Sequence, residues 1–399
     1  MPLLLLASRT LADLCVTLTA LAFLYFSWKH QNWGWAKSGW FRVCLAFWAY
    51  LLLLNAPFSV QPLESLAYAI SFIRWPLFAA ALGYWLLTEP MRQRAFLLGL
   101  LCVTAFILAD TWLQFIRGTD LLGHPPFSGN RLTGPFNGPV PGIMTVRVFF
   151  ILFLLAGVLG GLKVPSRHIA FICLLLVAGF NFIYITGERM ALLLFIAGAI
   201  LILYSLWFEY PRQRISVIFS AGIFIADILL INQLMPEQTT QRAIYSSTYK
   251  IANLSQSDYG QVFGAAYAAW QEYPLLGSGL HTYREVCEQL GLLVNSGMSC
   301  THPHNLYLHI LAETGAIGLM LFAICVFAIY KTALLDHIHQ RRWYRLSVSF
   351  TLLSVSFWPL IGGISLLNNG VAALVWLGVG WAIAIRGLGM PTAPPDSQA

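Results

Sequence analysis

His304 is the side chain of this sequence that is best suited to take a proton from a substrate hydroxyl. It lies in the run 301–305, Thr-His-Pro-His-Asn. Thr301 or His302 can cap a helix, and Pro303 suits the first helical position, where its missing N–H would be unpaired in any case. The run therefore predicts a helix with His304 in its first turn. A neutral imidazole there can act as a general base, although a lone histidine in such a position is more often a capping or interfacial residue.

Two glycines follow on the same predicted helix. Gly315 comes eleven residues after His304. Since this is about three helical turns, the two residues share a face and lie about 16 Å apart. Gly318 falls about 40° from that line. Small residues at these positions let a neighbouring helix approach closely. The sequence predicts a helix face with a histidine at its outer end and a close helix contact beneath it.

Arginines in or beside apolar segments are the second set of chemical candidates, because a charge in apolar surroundings is costly and often functional. Arg147 lies about two turns inside one such segment, and Arg189 follows Gly187 at the end of another. Outward-facing guanidinium groups would suit a diphosphate, which they bind through paired hydrogen bonds. For Arg74 and Asp110 the prediction is a structural role, by pairing or snorkelling.

Acidic residues and cysteines give no sign of a metal site. Glu188 and Glu313 stand alone, without a second carboxylate spaced to hold a divalent cation. The seven cysteines include neither a Cys-x-x-Cys pair nor a histidine–cysteine grouping. The sequence therefore predicts neither a metal nor a cofactor.

The composition is that of a membrane protein. Of 399 residues, 58% are hydrophobic and 10% are charged, and the mean hydropathy is +0.71. Apolar runs of about 20 residues recur, which is the length that a helix needs to span a bilayer. The predicted fold class is an all-α polytopic membrane protein with about 11–12 transmembrane helices and one long periplasmic loop. The formal charge of +7 is explained by basic loops and does not indicate nucleic-acid binding.

Eleven apolar segments can be distinguished, or twelve if the first run is divided. The predicted segments are Leu3–Trp28, Phe41–Leu54, Leu66–Leu87, Ala95–Ile116, Val140–Leu162, His168–Ile185, Met190–Phe208, Ile215–Leu234, His304–Tyr330, Leu346–Leu366 and Val371–Ile385.

Alternate loops between these segments carry the basic residues and so predict the orientation. The residues that accumulate on one side are Lys29, Lys37, Arg42, Arg92, Arg94, Lys163, Arg167, Arg212, Arg214, Lys331, Arg341, Arg342 and Arg345. By the positive-inside rule this side is cytoplasmic, and the C-terminus lies on it. Arg189 and His304 then both emerge on the opposite, outer face of the membrane.

The longest hydrophilic stretch divides the chain. We predict N-terminal transmembrane helices over 1–234, a periplasmic loop domain over 235–303, C-terminal transmembrane helices over 304–390, and a disordered tail over 391–399. Aromatic residues recur at helical spacing between Tyr259 and Tyr273. They predict an amphipathic helix whose aromatic stripe packs onto the membrane domain or into the interface, in preference to stacking on sugars.

Two cysteines, Cys287 and Cys300, lie in this loop, whereas the other five fall in apolar segments. Because the loop is predicted to face an oxidising compartment, we expect a disulfide between the two. Gly291 and Gly297 lie between them and would also allow the thiols to stay apart.

Four motifs resemble the O-antigen ligase and polymerase superfamily. His304-Asn305 followed after nine residues by Gly315-x-x-Gly318 is similar to its H-[NSQ]-x9-G-x-x-G signature. The runs 131–136 (RLTGPF), 186–189 (TGER) and 274–279 (PLLGSG) resemble its other motifs, so the likeness covers residues 125–325. The chain departs from the family at Tyr259-Gly260, where an arginine often stands. Arg242 or Arg284 would have to replace that arginine.

The resemblance implies a metal-independent, inverting glycosyltransferase of the C type that works at the periplasmic face. Its partners would be an undecaprenyl-diphosphate-linked glycan as donor, lipid A–core as acceptor, and the surrounding membrane lipids. The implied catalytic residues are His304 as the base and Arg189 on the diphosphate. The implied substrate-binding residues are Arg131, Arg147, Arg242 and Asn305, the last of which would equally serve as a hydrogen-bonding group at the helix end.

Two alternatives remain at this point. An O-antigen polymerase would use the same donor with a second lipid-linked glycan as acceptor, but the family's polymerases tend to have two sizeable outer loops, and this chain has one. A transporter or lipid flippase would also be polytopic. It should show paired, glycine- or proline-broken spans in two halves, and the sequence shows no such internal repeat.

Overall fold

Helices make up nearly all regular structure in the described residues of the computed structural model, which are 8–127, 131–155, 165–235, 237, 258–293, 299–360 and 369–387. These ranges contain fourteen α-helices and one isolated antiparallel bridge, between Phe127 and Arg131. In chain order the helices are α1 Arg9–Lys29, α2 Gly39–Tyr50, α3 Pro62–Phe72, α4 Arg74–Ala81, α5 Pro90–Arg117, α6 Pro141–Phe149, α7 Pro165–Thr186, α8 Arg189–Glu209, α9 Arg214–Leu234, α10 Asp258–Glu272, α11 Tyr283–Gln289, α12 Leu306–His339, α13 Trp343–Phe357 and α14 Asn369–Ala384.

Several helices are extended by a turn of different pitch. The helix α2 continues as a π-helical turn over Leu51–Asn55, and α4 does so over Leu82–Leu86. The helix α6 continues as a 3₁₀ segment over Phe150–Leu154. These extensions lengthen three apolar helices by about one turn each.

In the described residues, seven helical segments are long and apolar enough to cross a membrane, and three shorter apolar helices, Gly39–Asn55, Pro141–Leu154 and Asn369–Ala384, accompany them. Large apolar side chains on their outer surfaces are exposed, such as Leu18 on α1 and Phe219 on α9. An aqueous surface rarely carries so much apolar area, whereas lipid accepts it. The chain is an all-α polytopic membrane protein, as the composition predicts.

Each of the eleven predicted apolar segments overlaps helical structure in the described residues, and the segment Leu66–Leu87 overlaps two helices, α3 and α4. Parts of three segments, at 3–7, 156–162 and 361–366, lie outside the described residues, as does the predicted tail 391–399. Within the membrane domain α2 packs on α12, α8 on α13, α7 on α9, and α4 on both α1 and α14. These pairs enclose a single large apolar cluster that includes Trp40, Phe149 and Trp381.

A second, smaller apolar cluster joins the outer helices to α12. It contains Val262 and Ala266 of α10, Tyr283 of α11 and Ala312 of α12. The buried face of α10 is thus built from small aliphatic side chains. Tyr259, Tyr267 and Tyr273 of the predicted aromatic stripe are exposed and do not pack onto the membrane domain. Packing of these three side chains into the membrane interface stays a prediction.

The disulfide between Cys287 and Cys300 is formed, with the two Cα atoms 5.7 Å apart. Cys287 belongs to α11 and is fully buried in the smaller cluster. Cys300 lies four residues before His304. The bridge therefore fastens the segment that leads to His304 onto α11, which confirms the predicted pairing.

The helix α12 is broken at Gly315, whose φ of 66° and ψ of −174° are not helical. In a continuous helix the N–H groups of Ala316 and Ile317 would donate to the carbonyls of Ala312 and Glu313. At the break the segment 274–279, which follows α10, inserts between these donors and acceptors. The signature glycine thus marks a helix interruption, where the sequence had predicted an uninterrupted face.

The inserted segment replaces two lost helical hydrogen bonds with four new ones. Ser278 and Gly279 donate their N–H groups to the carbonyls of Ala312 (3.1 Å) and Glu313 (2.9 Å). In return, Ala316 donates to the carbonyl of Pro274 (2.9 Å) and Ile317 to that of Leu275 (3.3 Å). Because buried backbone groups need partners, this exchange makes an interrupted helix tolerable inside the membrane domain.

Two buried side chains of the second span hold the junction from the other side. Asn55 donates through Nδ2 to the carbonyls of Leu276 (2.7 Å) and Glu313 (2.9 Å). The Tyr50 hydroxyl lies 2.7 Å from the carbonyl of Thr314 and 3.2 Å from that of Leu276. The carbonyl groups that lose their helical partners at the break are thereby satisfied, and the second span is tied to the first half of α12 and to the inserted segment.

Only glycine fits at the two closest points of this junction. A Cβ at Gly315 would overlap the Leu275 carbonyl, and its φ and ψ belong to a region that only glycine adopts readily. A Cβ at Gly277, where φ is 78°, would overlap the backbone of Glu313. The glycines of the two motifs therefore face one another across the same backbone contact.

Gly315→Ala should destabilise the protein. The backbone conformation alone costs about 1–3 kcal/mol for a residue with a Cβ, and the clash with Leu275 adds to this. The midpoint of thermal unfolding, followed by tryptophan fluorescence of the purified protein, should therefore fall. The control is Gly264→Ala, on α10, where a Cβ meets nothing within 4 Å. It should leave the midpoint unchanged or raise it, and equal midpoints for Gly315→Ala and the parent protein would contradict the account of the break.

Candidate functional site

His304 lies outside the helix, and the prediction that it occupies the first turn was wrong. The helix α12 begins at Leu306, and its N-cap is Asn305. The Asn305 side-chain oxygen accepts the N–H groups of Tyr307 (3.0 Å) and Leu308 (3.1 Å). An asparagine that satisfies two first-turn donors is a stronger cap than Thr301 or a histidine. The helix therefore starts three residues later than predicted.

The backbone at His304 is in the left-handed region, with φ of 51°. Since Gly315 also interrupts the helix below, the predicted common face of His304 and the two glycines does not exist. The side chain is instead presented by a turn that is fixed at both ends. The disulfide at Cys300 lies upstream, and downstream the N–H of Leu306 donates to the carbonyl of Pro359 (2.9 Å).

Two aromatic rings flank the His304 imidazole. The ring of His302 lies 4.2 Å away, centroid to centroid, at an interplanar angle of 49°. The ring of Tyr259, from α10, lies 6.0 Å away in an edge-on arrangement. All three come from the outer segment of the protein. The loop helix therefore forms one wall around the candidate base.

Glu188 is the centre of the second group of candidate residues. Its carboxylate accepts the N–H of Gly142 at Oε1 (2.7 Å) and the N–H of Ile143 at Oε2 (2.8 Å). These donors lie in the first turn of α6, whose own N-cap residue, Val140, has no side-chain acceptor. Glu188 therefore caps α6 from a distant part of the chain, and it does not stand alone as the sequence suggested.

Two arginines act on the same carboxylate. Burial raises the pKa of the Glu188 carboxyl to about 7, while the bonds from Gly142 and Ile143 and the charges of Arg131 and Arg147 act in the opposite direction. Both carboxylate oxygens accept hydrogen bonds, and this geometry suits the ionised form. The structure thus brings two predicted substrate-binding arginines near to a carboxylate next to Arg189.

Arg147 is almost fully buried on α6, and its Nη1 donates to the carbonyl of Ile143 (2.8 Å). Arg189 is the first residue of α8 and follows Glu188 directly. Arg131 is exposed, and its Nη2 lies 3.4 Å from the carbonyl of Pro139. The three arginines thus come from three different elements that meet around Glu188.

The Arg131 segment is held by a side chain of α5. Gln114 accepts the N–H groups of Thr133 (2.8 Å) and Gly134 (3.0 Å) through Oε1. Its Nε2 donates to the Thr133 hydroxyl (2.8 Å). One buried amide therefore fixes the turn that follows Arg131.

Two further arginines, Arg242 and Arg284, were candidates for the site. Arg242 lies outside the described residues, so its prediction stays untested. Arg284, the alternative to it, is exposed on α11 and pairs with Glu288 at 2.8 Å. The predicted structural roles are supported elsewhere, because Arg74 pairs with Asp13 at 2.9 Å and Asp110 accepts the N–H of Leu121 at 2.7 Å.

The sequence reading missed a buried pair on α12. The Nε2 of His309 lies 3.1 Å from Oε1 of Glu313, which also accepts the N–H of Tyr283 (3.2 Å). The spacing of four residues between histidine and glutamate was the available signal. The pair links the first half of α12 to α11, just above the break at Gly315.

Among the described residues, no group of three or more histidine, cysteine, aspartate or glutamate side chains is arranged to hold a metal ion. What the described site offers is a histidine in a fixed turn and a set of arginines around a capping carboxylate. Such groups can accept a proton and stabilise an anion.

A comparison with known protein families agrees with the resemblance that the sequence motifs show. The family described as O-antigen ligase matches residues 174–323. No curated protein matched the chain. The matched segment contains Arg189, the inserted run 274–279, His304 and both signature glycines, and it leaves out Arg131 and Arg147. The segment 174–323 is therefore similar to the O-antigen ligase family, which supports the resemblance found in the sequence motifs.

Proposed function

We propose that the protein is a glycosyltransferase that transfers a glycan from undecaprenyl diphosphate to a sugar hydroxyl of lipid A–core. The family match implies an activity of the O-antigen ligase or polymerase type in general. One observation supports transfer to lipid A–core by the proposed mechanism: the matched segment contains both His304 and Arg189. His304 is a candidate to accept the proton of the acceptor hydroxyl, and Arg189 is a candidate to bind the negative charge of the diphosphate.

The reaction would take place at the outer face of the bacterial inner membrane. The distribution of basic loops supports this orientation, with the C-terminus in the cytoplasm. The disulfide between Cys287 and Cys300 supports it independently, because such bonds persist in oxidising compartments. In this arrangement 1–234 and 304–390 hold the membrane helices, and 235–303 is the periplasmic part that covers the site.

His304 would act as the general base. Its neutral imidazole takes the proton of the acceptor hydroxyl as that oxygen attacks the anomeric carbon of the donor glycan. The new C–O bond forms on the face opposite to the diphosphate, so the configuration at the anomeric carbon is inverted. Asn305, which caps α12, would contribute mainly by holding the turn that carries His304.

The arginines would stabilise the leaving group. The bond from the anomeric carbon to the diphosphate oxygen breaks with the electron pair on oxygen, so negative charge grows on the diphosphate. Arg189 would bind it, together with Arg131 and Arg147, and Arg242 is a further candidate. Because a diphosphate is already a good leaving group, arginine charge can replace a metal in this scheme.

The central test is transfer by the purified protein in detergent, with an undecaprenyl-diphosphate glycan as donor. We expect product when lipid A–core is the acceptor, and we expect an excess of chelator to leave the rate unchanged. Elongation of the donor glycan without lipid A–core would identify a polymerase instead. Loss of transfer in chelator would contradict the metal-independent scheme.

His304→Ala should abolish transfer without unfolding the protein, since the residue lies outside α12. Loss of a general base costs about 10²–10⁴ in rate. The matched control is His281→Ala, because His281 is also an outer histidine with a left-handed backbone, at φ of 66°. The control should keep its rate within about twofold. A His304→Ala variant that keeps more than a few per cent of the parent rate would rule out the base assignment.

Arg189→Lys should be impaired almost as badly as Arg189→Ala. A lysine keeps the charge but lacks the planar fork that binds a diphosphate through two hydrogen bonds. The initial rate at saturating acceptor, measured against donor concentration, checks this. The control is Arg92→Lys, where the arginine is exposed and paired with Glu89, and its rate should be unchanged. Full activity of Arg189→Lys would indicate that Arg189 only anchors the helix end.

A further inference from the structure

Glu188 is a half-buried carboxylate that the proposed reaction does not use. It offers both oxygens to the first turn of α6, at 2.7 Å and 2.8 Å from the nitrogens of Gly142 and Ile143. First-turn N–H groups have no partner within their own helix, and the helix dipole favours an anion at this end. Glu188 therefore fixes the start of α6 to the turn between α7 and α8.

The contact is too close to be a loose surface pair. A Cβ at Gly142 would overlap the Thr186 hydroxyl and crowd the Glu188 carboxylate. Glycine at this position lets the backbone of α6 rest directly on the turn before α8. The relative position of the two helix starts is thus set by backbone contact and by two charge-assisted hydrogen bonds.

Both ends of this contact carry an arginine of the proposed diphosphate site. Arg189 follows Glu188 as the first residue of α8. Arg147 lies on α6 and donates to the carbonyl of Ile143, whose N–H is bonded to Glu188. Two hydrogen bonds and the peptide link between Glu188 and Arg189 therefore connect the two arginines.

The same carboxylate also reduces repulsion within the site. The charges of Arg131 and Arg147 both act on Glu188. Guanidinium groups gathered for one ligand repel each other when the ligand is absent, and the repulsion is strong in partly buried surroundings. The Glu188 carboxylate lessens the repulsion between Arg131 and Arg147, and these two arginines with one carboxylate still leave net positive charge for a diphosphate.

We infer that Glu188 is a positioning residue for the diphosphate site, which sets the distance and orientation between Arg147 and Arg189 without touching the substrate. This inference rests on the proposed role of the arginines. In Glu188→Gln the amide oxygen can accept one of the two N–H groups of α6 and leaves the other without a partner, which would let the two helix starts shift. Donor binding should weaken although every arginine is still present.

The test measures binding of undecaprenyl diphosphate to the full chain in detergent micelles, for four proteins. They are the parent, Glu188→Gln, Arg189→Ala and the double variant. Glu188→Gln should weaken binding about tenfold, the effect of losing one hydrogen bond to a charged group. The double variant should bind no more weakly than Arg189→Ala alone, because Glu188 acts through the arginine.

The control is Asp13→Asn, which breaks another partly buried carboxylate contact between helices, the pair with Arg74. It should leave the dissociation constant unchanged, so a weakening by Glu188→Gln cannot be attributed to general loosening. If Glu188→Gln does not yield folded protein, Glu188→Asp decides. It keeps the charge but shortens the reach, and it should show a smaller loss in the same direction.

The outcomes separate this inference from the proposed function. If Arg189→Ala binds undecaprenyl diphosphate as well as the parent does, the diphosphate assignment itself fails. If Arg189→Ala weakens binding but Glu188→Gln does not, only the positioning role is overturned. The positioning role is overturned as well if the two losses add in full in the double variant, because Glu188 would then act independently of Arg189.

Discussion

The exchange of backbone hydrogen bonds at Gly315 is the constraint on which the outer half of the molecule depends. The inserted run 274–279 accepts two donors from the lower half of α12 and gives two donors to the upper half. Tyr50 and Asn55 of the second span satisfy what remains. In a membrane domain every backbone group needs such a partner, so the interruption can exist only with the loop in place. The turn with His304 is built on top of this junction.

The carboxylates near the candidate site also need partners, as the buried backbone groups do. Buried charge is costly unless it is paired and hydrogen-bonded. Glu188 meets this requirement through two backbone donors, and Glu313 meets it through His309 and the N–H of Tyr283. Both carboxylates also connect elements that are far apart in the chain. The acidic residues therefore organise the two candidate groups, while His304 and the arginines are the residues that we propose to contact substrates.

Much of the architecture could be predicted from local sequence, because spans of about twenty apolar residues and a pair of cysteines in one outer loop are short-range signals. The start of α12 was misplaced because Thr301, His302 and Asn305 compete as caps, and only the observed bonds of Asn305 decide between them. From the sequence, Gly315 was predicted to be a packing residue. The helix break at Gly315 could not be predicted, because the hydrogen bonds that complete it come from the run 274–279, about forty residues upstream. The capping role of Glu188 could not be predicted for the same reason, because its partners Ile143 and Gly142 precede it by 45 and 46 residues.

The interruption of α12 also has a mechanical meaning. The upper half, from Leu306 to Thr314, is about 13 Å long at 1.5 Å per residue, so the run 274–279 is anchored at roughly that depth below the turn with His304. A loop that is fastened so far down cannot swing as a hinged lid. The helices α10 and α11, the turn with His304 and the upper half of α12 are fastened to one another at both ends of this length, so a displacement of any one of them would displace the others.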